Sequence, residues 1–142
     1  MPPVVSVAAT SPSARLSVLP PLSLYVHVPW CVRKCPYCDF NSHEAADGLP
    51  ERAYVDALLA DLARDLDAFP PGTAGRPVTA VFIGGGTPSL LSADAYGRLF
   101  AGLRDRLRFA DDVEITLEAN PGTVEQQKFR DQLTSALPAG PF

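Results

Sequence analysis

Three cysteines, Cys31, Cys35 and Cys38, lie on one short stretch and are the only cysteines of the chain. Their spacing lets all three sulfurs converge from a single loop on one inorganic centre. An odd number of thiols cannot pair fully as disulfides, and neighbours this close on a loop form strained bridges. A structural zinc ion normally takes four protein ligands, so zinc would need help from His27 or His43.

The three-thiol loop also suits an iron-sulfur cluster. A cluster held by three cysteines leaves its fourth iron free to bind something other than protein. Such an open iron suits an enzyme better than a simple electron carrier. We therefore expect a 4Fe-4S cluster here, with zinc and a disulfide as alternatives.

The cysteine spacing resembles the CxxxCxxC signature of the radical S-adenosylmethionine superfamily, and aromatic Tyr37 stands before the third cysteine. Residues 24–30, LYVHVPW, and 39–42, DFNS, are similar to the oxygen-independent coproporphyrinogen oxidase family. Within that family they resemble the heme chaperone branch. The resemblance implies a 4Fe-4S cluster and S-adenosylmethionine as cofactors, and heme in the full-length parent protein.

A second candidate motif is the glycine-rich run at 84–89, GGGTPS, which follows a predicted strand. Backbone without side chains can approach a ligand closely and offer it NH and CO groups. A glycine triplet is also often only a turn, and this one lacks the lysine of a phosphate-binding loop. Glu118 ends a later predicted strand, where a carboxylate could simply be solvated.

The family resemblance assigns these residues a shared role in binding S-adenosylmethionine. In the family, the glycine motif contacts the methionine portion, the acidic residue matching Glu118 binds the nucleoside or methionine end, and the strand tyrosine lies against the cofactor. Without the resemblance, Tyr25 could equally pack in a core, and His27 on the same strand face is expected to be structural. The implied cofactor residues are Tyr25, Tyr37, Gly85, Gly86, Thr87 and Glu118.

Predicted strands and helices alternate along the chain. Apolar runs predict strands at 22–28, 78–83 and 113–117, and periodic apolar residues predict helices after Pro50 and after a cap at Ser92. The cysteine loop, the glycine loop and the acidic strand end each follow a strand, so a parallel sheet would bring them to one edge. The sequence thus predicts an α/β fold of repeated β-α units, and the resemblance implies the first half of a partial (β/α)6 radical SAM barrel.

We expect three segments in the chain. Residues 1–21 are predicted to be a flexible extension, and 22–129 to be the amino-terminal part of a radical SAM core, including a further helix with a capping box at Thr123 and Gln126. Residues 130–142 depart from the family pattern, and we attribute this to a frameshift or a misassigned gene end.

The net charge and the composition limit which classes of binding partner are expected. A net charge of -4 offers no general attraction to nucleic acid or to anionic membranes. The opening residues lack a sustained apolar run, so neither a signal peptide nor a transmembrane segment is expected. Reduced cysteines and an oxygen-sensitive cofactor place the expected function in the cytoplasm.

Phe40 bears on which activity the resemblance implies. Coproporphyrinogen oxidases of the family carry a further cysteine two residues after the cluster motif, where this chain has Phe40. The sequence therefore favours a heme-binding chaperone that passes heme to an acceptor protein and takes electrons from a donor. The alternatives are oxidative decarboxylation of coproporphyrinogen III to protoporphyrinogen IX, and an inactive truncated product.

Overall fold

The computed structural model describes residues 18–32, 35–37, 42–44, 48–70 and 75–119, together with single helical positions at 127, 130, 131 and 134. The predicted helix cap at 123–126 lies outside these residues. In chain order the elements are β1 (Leu22–Val28), β2 (Trp30–Cys31), β3 (His43–Glu44), α1 (Glu51–Ala68), β4 (Val78–Gly85), a 3-10 helix (Pro88–Leu90), α2 (Ala93–Arg106) and β5 (Phe109–Leu117).

The main sheet is parallel and has the order β1-β4-β5. Strand β4 is therefore central, and both of its neighbours pair with it in the parallel sense. A separate, very short parallel pair joins β2 to β3 just beyond β1. The predicted alternation of strands and helices and the parallel α/β class are confirmed.

One face of the sheet packs against both helices and forms the core. Val26 of β1 and Ile83 of β4 are paired neighbours on this face, and both are buried. Helix α1 contributes Val55, and helix α2 contributes a larger set of buried side chains: Ala95, Tyr96, Leu99, Phe100 and Leu103. Burial of these apolar side chains is the main favourable contribution to folding.

The opposite face of the sheet carries a different set of side chains. Tyr25, Phe82 and Thr116 are paired across the three strands, and all three are exposed, Tyr25 by 57% and Phe82 by 40%. No described helix lies over this face. Polar and aromatic side chains are thus presented on the side of the sheet away from the helices.

The start of α2 is fixed by two interactions. The Ser92 hydroxyl oxygen accepts a hydrogen bond from the Ala95 N–H at 3.1 Å, which confirms the predicted cap. The Glu51 carboxylate accepts hydrogen bonds from the Ser92 N–H and hydroxyl, each at 2.7 Å. Because Glu51 is the first residue of α1, this contact joins the beginnings of the two helices.

Two strands are longer than predicted. Strand β4 extends to Gly85, since the glycines continue the pairing with β1 and Gly85 lies opposite Val28. Strand β5 begins at Phe109 rather than at 113, and Phe109 is buried opposite Val78. No helix among the described residues is long and apolar enough to cross a membrane.

Candidate cluster and cofactor site

The cysteine loop and the glycine loop meet at the carboxyl edge of the sheet. The Gly86 N–H donates to the Val28 carbonyl at 2.7 Å, and the Thr87 N–H donates to the Trp30 carbonyl at 2.6 Å. Thr87 is buried. Backbone hydrogen bonds therefore hold the start of the cysteine loop directly against the glycine motif.

Because the two loops approach so closely, two positions of the glycine motif have no room for a side chain. A Cβ atom on Gly86 would lie 2.7 Å from the Trp30 carbonyl carbon and 2.8 Å from the Cys31 sulfur. Gly85 has φ +117°, and a Cβ there would lie 2.6 Å from the Val28 carbonyl oxygen. These distances are too short for a side chain, so the cysteine sulfur borders bare backbone.

Glu118 lies at the same edge. Its backbone N–H donates to the Ile83 carbonyl at 3.0 Å, which continues the pairing beyond the end of β5. Its carboxylate oxygen Oε2 accepts a hydrogen bond from the Gly85 N–H at 3.2 Å. The predicted acidic residue and the predicted glycine motif are thus in direct contact.

Tyr25 lies on the uncovered face just below this edge. Its hydroxyl is 2.9 Å from the His27 Nδ1 atom, and its ring stacks on Phe82 with centroids 6.0 Å apart. With 57% of its surface exposed, Tyr25 does not pack in the core, which was the alternative left open by the sequence. The His27 ring in turn packs against the backbone of Gly85.

The remaining predicted ligands are less enclosed. Cys31 is half-buried in β2, Cys35 is exposed, and both are free thiols. Tyr37 is 91% exposed, and Cys38 lies outside the described residues. Among the residues that the structure does describe, no three histidine, cysteine or acidic side chains converge as a metal site.

The described residues fit an iron-sulfur cluster in two respects. Thiols are the donors that such clusters use, and Cys31 and Cys35 are unpaired. The space next to the Cys31 sulfur is bounded by Gly86 backbone rather than by a side chain, so glycine leaves room beside the thiol for a bulky inorganic group.

Two tyrosines that the sequence presents only as members of apolar helical stripes also belong to this region. The Tyr54 hydroxyl of α1 donates to the His27 carbonyl, and the Tyr96 hydroxyl of α2 donates to the Pro88 carbonyl at 2.6 Å. Burial raises the pKa of both phenols, and the nearby Glu51 adds to this effect at Tyr96. Both hydroxyls therefore stay protonated donors at neutral pH.

The arrangement of parallel β-α units with a cysteine loop and a glycine loop at one edge is that of a radical SAM protein, and comparison with known proteins agrees. Residues 25–140 match the Radical SAM superfamily. This chain belongs to the radical SAM superfamily.

The relatives within the superfamily are more specific. The chain is 58% identical over 113 residues to the heme chaperone HemW of Escherichia coli, covering 80% of this chain and 29% of that protein. It is 50% identical over 119 residues to the heme chaperone HemW of Haemophilus influenzae, covering 84% of this chain and 31% of that protein. The chain thus spans less than a third of the length of these curated relatives.

A solved structure shares the fold. The Escherichia coli coproporphyrinogen III oxidase HemN, described as a radical SAM enzyme, superposes with a TM-score of 0.67 at 34% identity. The match covers 83% of this chain and 26% of that one. The predicted superfamily, the resemblance to heme chaperones and the fold class are confirmed, whereas the segment limits and the ligand roles of individual residues stay predictions.

Proposed function

We propose that this chain carries the cluster and S-adenosylmethionine site of a heme chaperone-like radical SAM protein. The observation that carries the proposal is the contact between the Cys31 sulfur and the Gly86 backbone, which brings the two candidate ligand loops together. Similarity to two heme chaperones at 50% and 58% identity supports the same function.

Cys31, Cys35 and Cys38 would hold the cluster. When bound, a reduced cluster supplies one electron for cleaving S-adenosylmethionine at its bond from sulfur to the 5'-carbon. The protein residues would bind and orient the cofactor beside it.

The cofactor contacts follow from the chemistry of each group. The Glu118 carboxylate is an acceptor that already receives the Gly85 N–H and has further lone pairs for an ammonium or hydroxyl group. The exposed Tyr25 ring offers a flat apolar surface to the cofactor. We include Tyr37, Gly86 and Thr87 in the same binding role on the basis of the family motifs.

The larger function would involve further partners. We propose heme or a porphyrin as the cargo, an acceptor protein that receives heme, and a donor that reduces the cluster. A reduced cluster and free thiols require a reducing compartment, so we place this function in the cytoplasm.

Anaerobic incubation of the chain with ferrous iron and sulfide tests the proposed site. We expect about four iron and about four sulfide atoms per chain, with visible absorption that bleaches on reduction. Electron paramagnetic resonance of the reduced sample should change when S-adenosylmethionine is added. In a parallel incubation that contains equal amounts of zinc and ferrous iron, uptake of one zinc ion in preference to iron would favour the zinc alternative. No metal uptake in either incubation would favour the inactive alternative.

The choice between chaperone and oxidase needs a full-length protein that contains this chain. Because Phe40 stands where oxidases have a cysteine, we expect such a protein to bind heme and to leave coproporphyrinogen III unchanged. Chromatography of the products after anaerobic incubation with S-adenosylmethionine and a reductant measures this. Clear formation of protoporphyrinogen IX would assign the protein to the oxidases, to which the HemN structure belongs.

A further inference from the structure

Tyr54 contacts the chain on both sides of the turn between β1 and the cysteine loop. It lies in the first turn of α1, where its N–H donates to the Pro50 carbonyl at 2.9 Å. Its hydroxyl donates to the His27 carbonyl, and its ring meets the Trp30 ring edge-on, with centroids 4.6 Å apart and planes at 74°. A single side chain thus holds the residues before and after Pro29.

Trp30, which contacts the Tyr54 ring, also sets the distance between the two candidate ligand loops. The Trp30 carbonyl accepts the Thr87 N–H at 2.6 Å, and Gly86 packs against both this carbonyl and the neighbouring Cys31 sulfur. A shift of Trp30 would therefore change the distance between the first cysteine and the glycine motif.

We propose that Tyr54 is a positioning residue that holds Cys31 against the glycine loop by anchoring the turn to α1. The importance of this role for cluster binding rests on the proposed function. The contact between Cys31 and Gly86 that Tyr54 would maintain is present in the protein without any cofactor. Tyr54 acts through the His27 backbone and the Trp30 ring.

A purely packing role would not require the hydroxyl, since phenylalanine fills the same space beside Trp30. Burial raises the pKa of Tyr54, and nearby Tyr25 and Asp61 add to the effect, so the donor persists at neutral pH. The corresponding residue of α2, Tyr96, donates to the carbonyl of Pro88, which lies within the glycine motif. Through one tyrosine hydroxyl each, α1 therefore anchors the end of the strand that leads into the cysteine loop, and α2 anchors the glycine motif.

The test compares the alkylation rates of two thiols in the metal-free chain. Cys31 is half-buried against Gly86, whereas Cys35 is exposed and serves as an internal reference. With a maleimide reagent and peptide mass spectrometry, we expect Tyr54→Phe to raise the Cys31 to Cys35 rate ratio about threefold to tenfold, as for one lost hydrogen bond. Tyr54→Leu, which also loses the ring contact with Trp30, should raise it further.

Two control variants separate positioning from general stability. Asp56 lies on the same helix as Tyr54, and Asp56→Asn removes only an exposed ion pair to Arg98 of α2, so it should leave the ratio unchanged. Leu103→Val weakens the core away from the loops and should lower Tm without raising the ratio. An unchanged ratio in Tyr54→Phe, or an equal rise in Leu103→Val, would overturn the proposal.

The same variants also test whether the Tyr54 contacts affect how firmly the cluster is held. After reconstitution, Tyr54→Phe should lose iron to a chelator about threefold to tenfold faster than the parent chain, because the loop opens more often. If the parent chain takes up no cluster but the thiol ratio still rises, the proposed function fails and the positioning role stands. If the cluster forms and neither rate changes, the proposed function stands and the positioning role is wrong.

Discussion

Replacing Cys31 by Ala is expected to reduce the iron content of the reconstituted chain to near zero. Three thiols are all that the chain offers, so loss of one leaves two cysteines for a cluster that normally has at least three protein ligands. Cys35→Ala and Cys38→Ala should behave in the same way. Iron and sulfide analysis after gel filtration under anaerobic conditions measures the loss.

A matched control is available in the same loop. Val32 follows Cys31, is 61% exposed and carries no ligand atom, so Val32→Ala should retain the full iron content. Unchanged iron in any of the three cysteine variants would contradict the cluster assignment. Equal iron loss in the Val32 variant would point to unfolding of the loop rather than to loss of a ligand.

The elements that carry the site were predictable from sequence because their signals are local. A cysteine spacing and a glycine run can be recognised within a few residues, and the period of apolar side chains locates the strands that precede them. The parallel sheet then brings the carboxyl ends of β1, β4 and β5 together, whatever their exact register. These local signals predict the α/β class and the shared edge of the sheet, but they do not predict the contacts between individual residues.

The contact between Gly86 and Cys31 was beyond prediction because it depends on strand register. Pairing of Val28 with Gly85 carries β4 into the glycine run and brings the next glycine beside the cysteine loop. A shift of one residue would move every side chain to the opposite face of the sheet. Sequence alone does not give this alignment.

Tyr54 and Tyr96 were missed as site residues for a different reason. Both occupy apolar positions of amphipathic helices, where an aromatic side chain usually signifies core packing. Their hydroxyl partners are backbone carbonyls, and a backbone acceptor leaves no mark on the sequence. For Tyr25 the sequence left two interpretations open, and its exposure on the uncovered face decided against the core.

The second large effect is expected from Gly86→Ala. The added methyl group would lie 2.7 Å from the Trp30 carbonyl carbon and 2.8 Å from the Cys31 sulfur. The Trp30 carbonyl is fixed by the Thr87 N–H, so the backbone of the two loops must separate to make room. Overpacking of this kind costs about 1–3 kcal/mol, and we expect Tm to fall by roughly 5–15 °C.

Gly97 provides the matched control for that substitution. It lies within α2, and a Cβ there would meet nothing within 4 Å. Gly97→Ala should therefore stabilise the chain by about 0.5–1 kcal/mol, because alanine is the better helix former. Thermal unfolding followed by circular dichroism compares the two variants.

Because Gly86→Ala also forces the glycine loop away from the first cysteine, its reconstituted cluster should lose iron faster than that of Gly97→Ala. Equal unfolding temperatures and equal iron retention in the two variants would show that the loops tolerate a side chain between them.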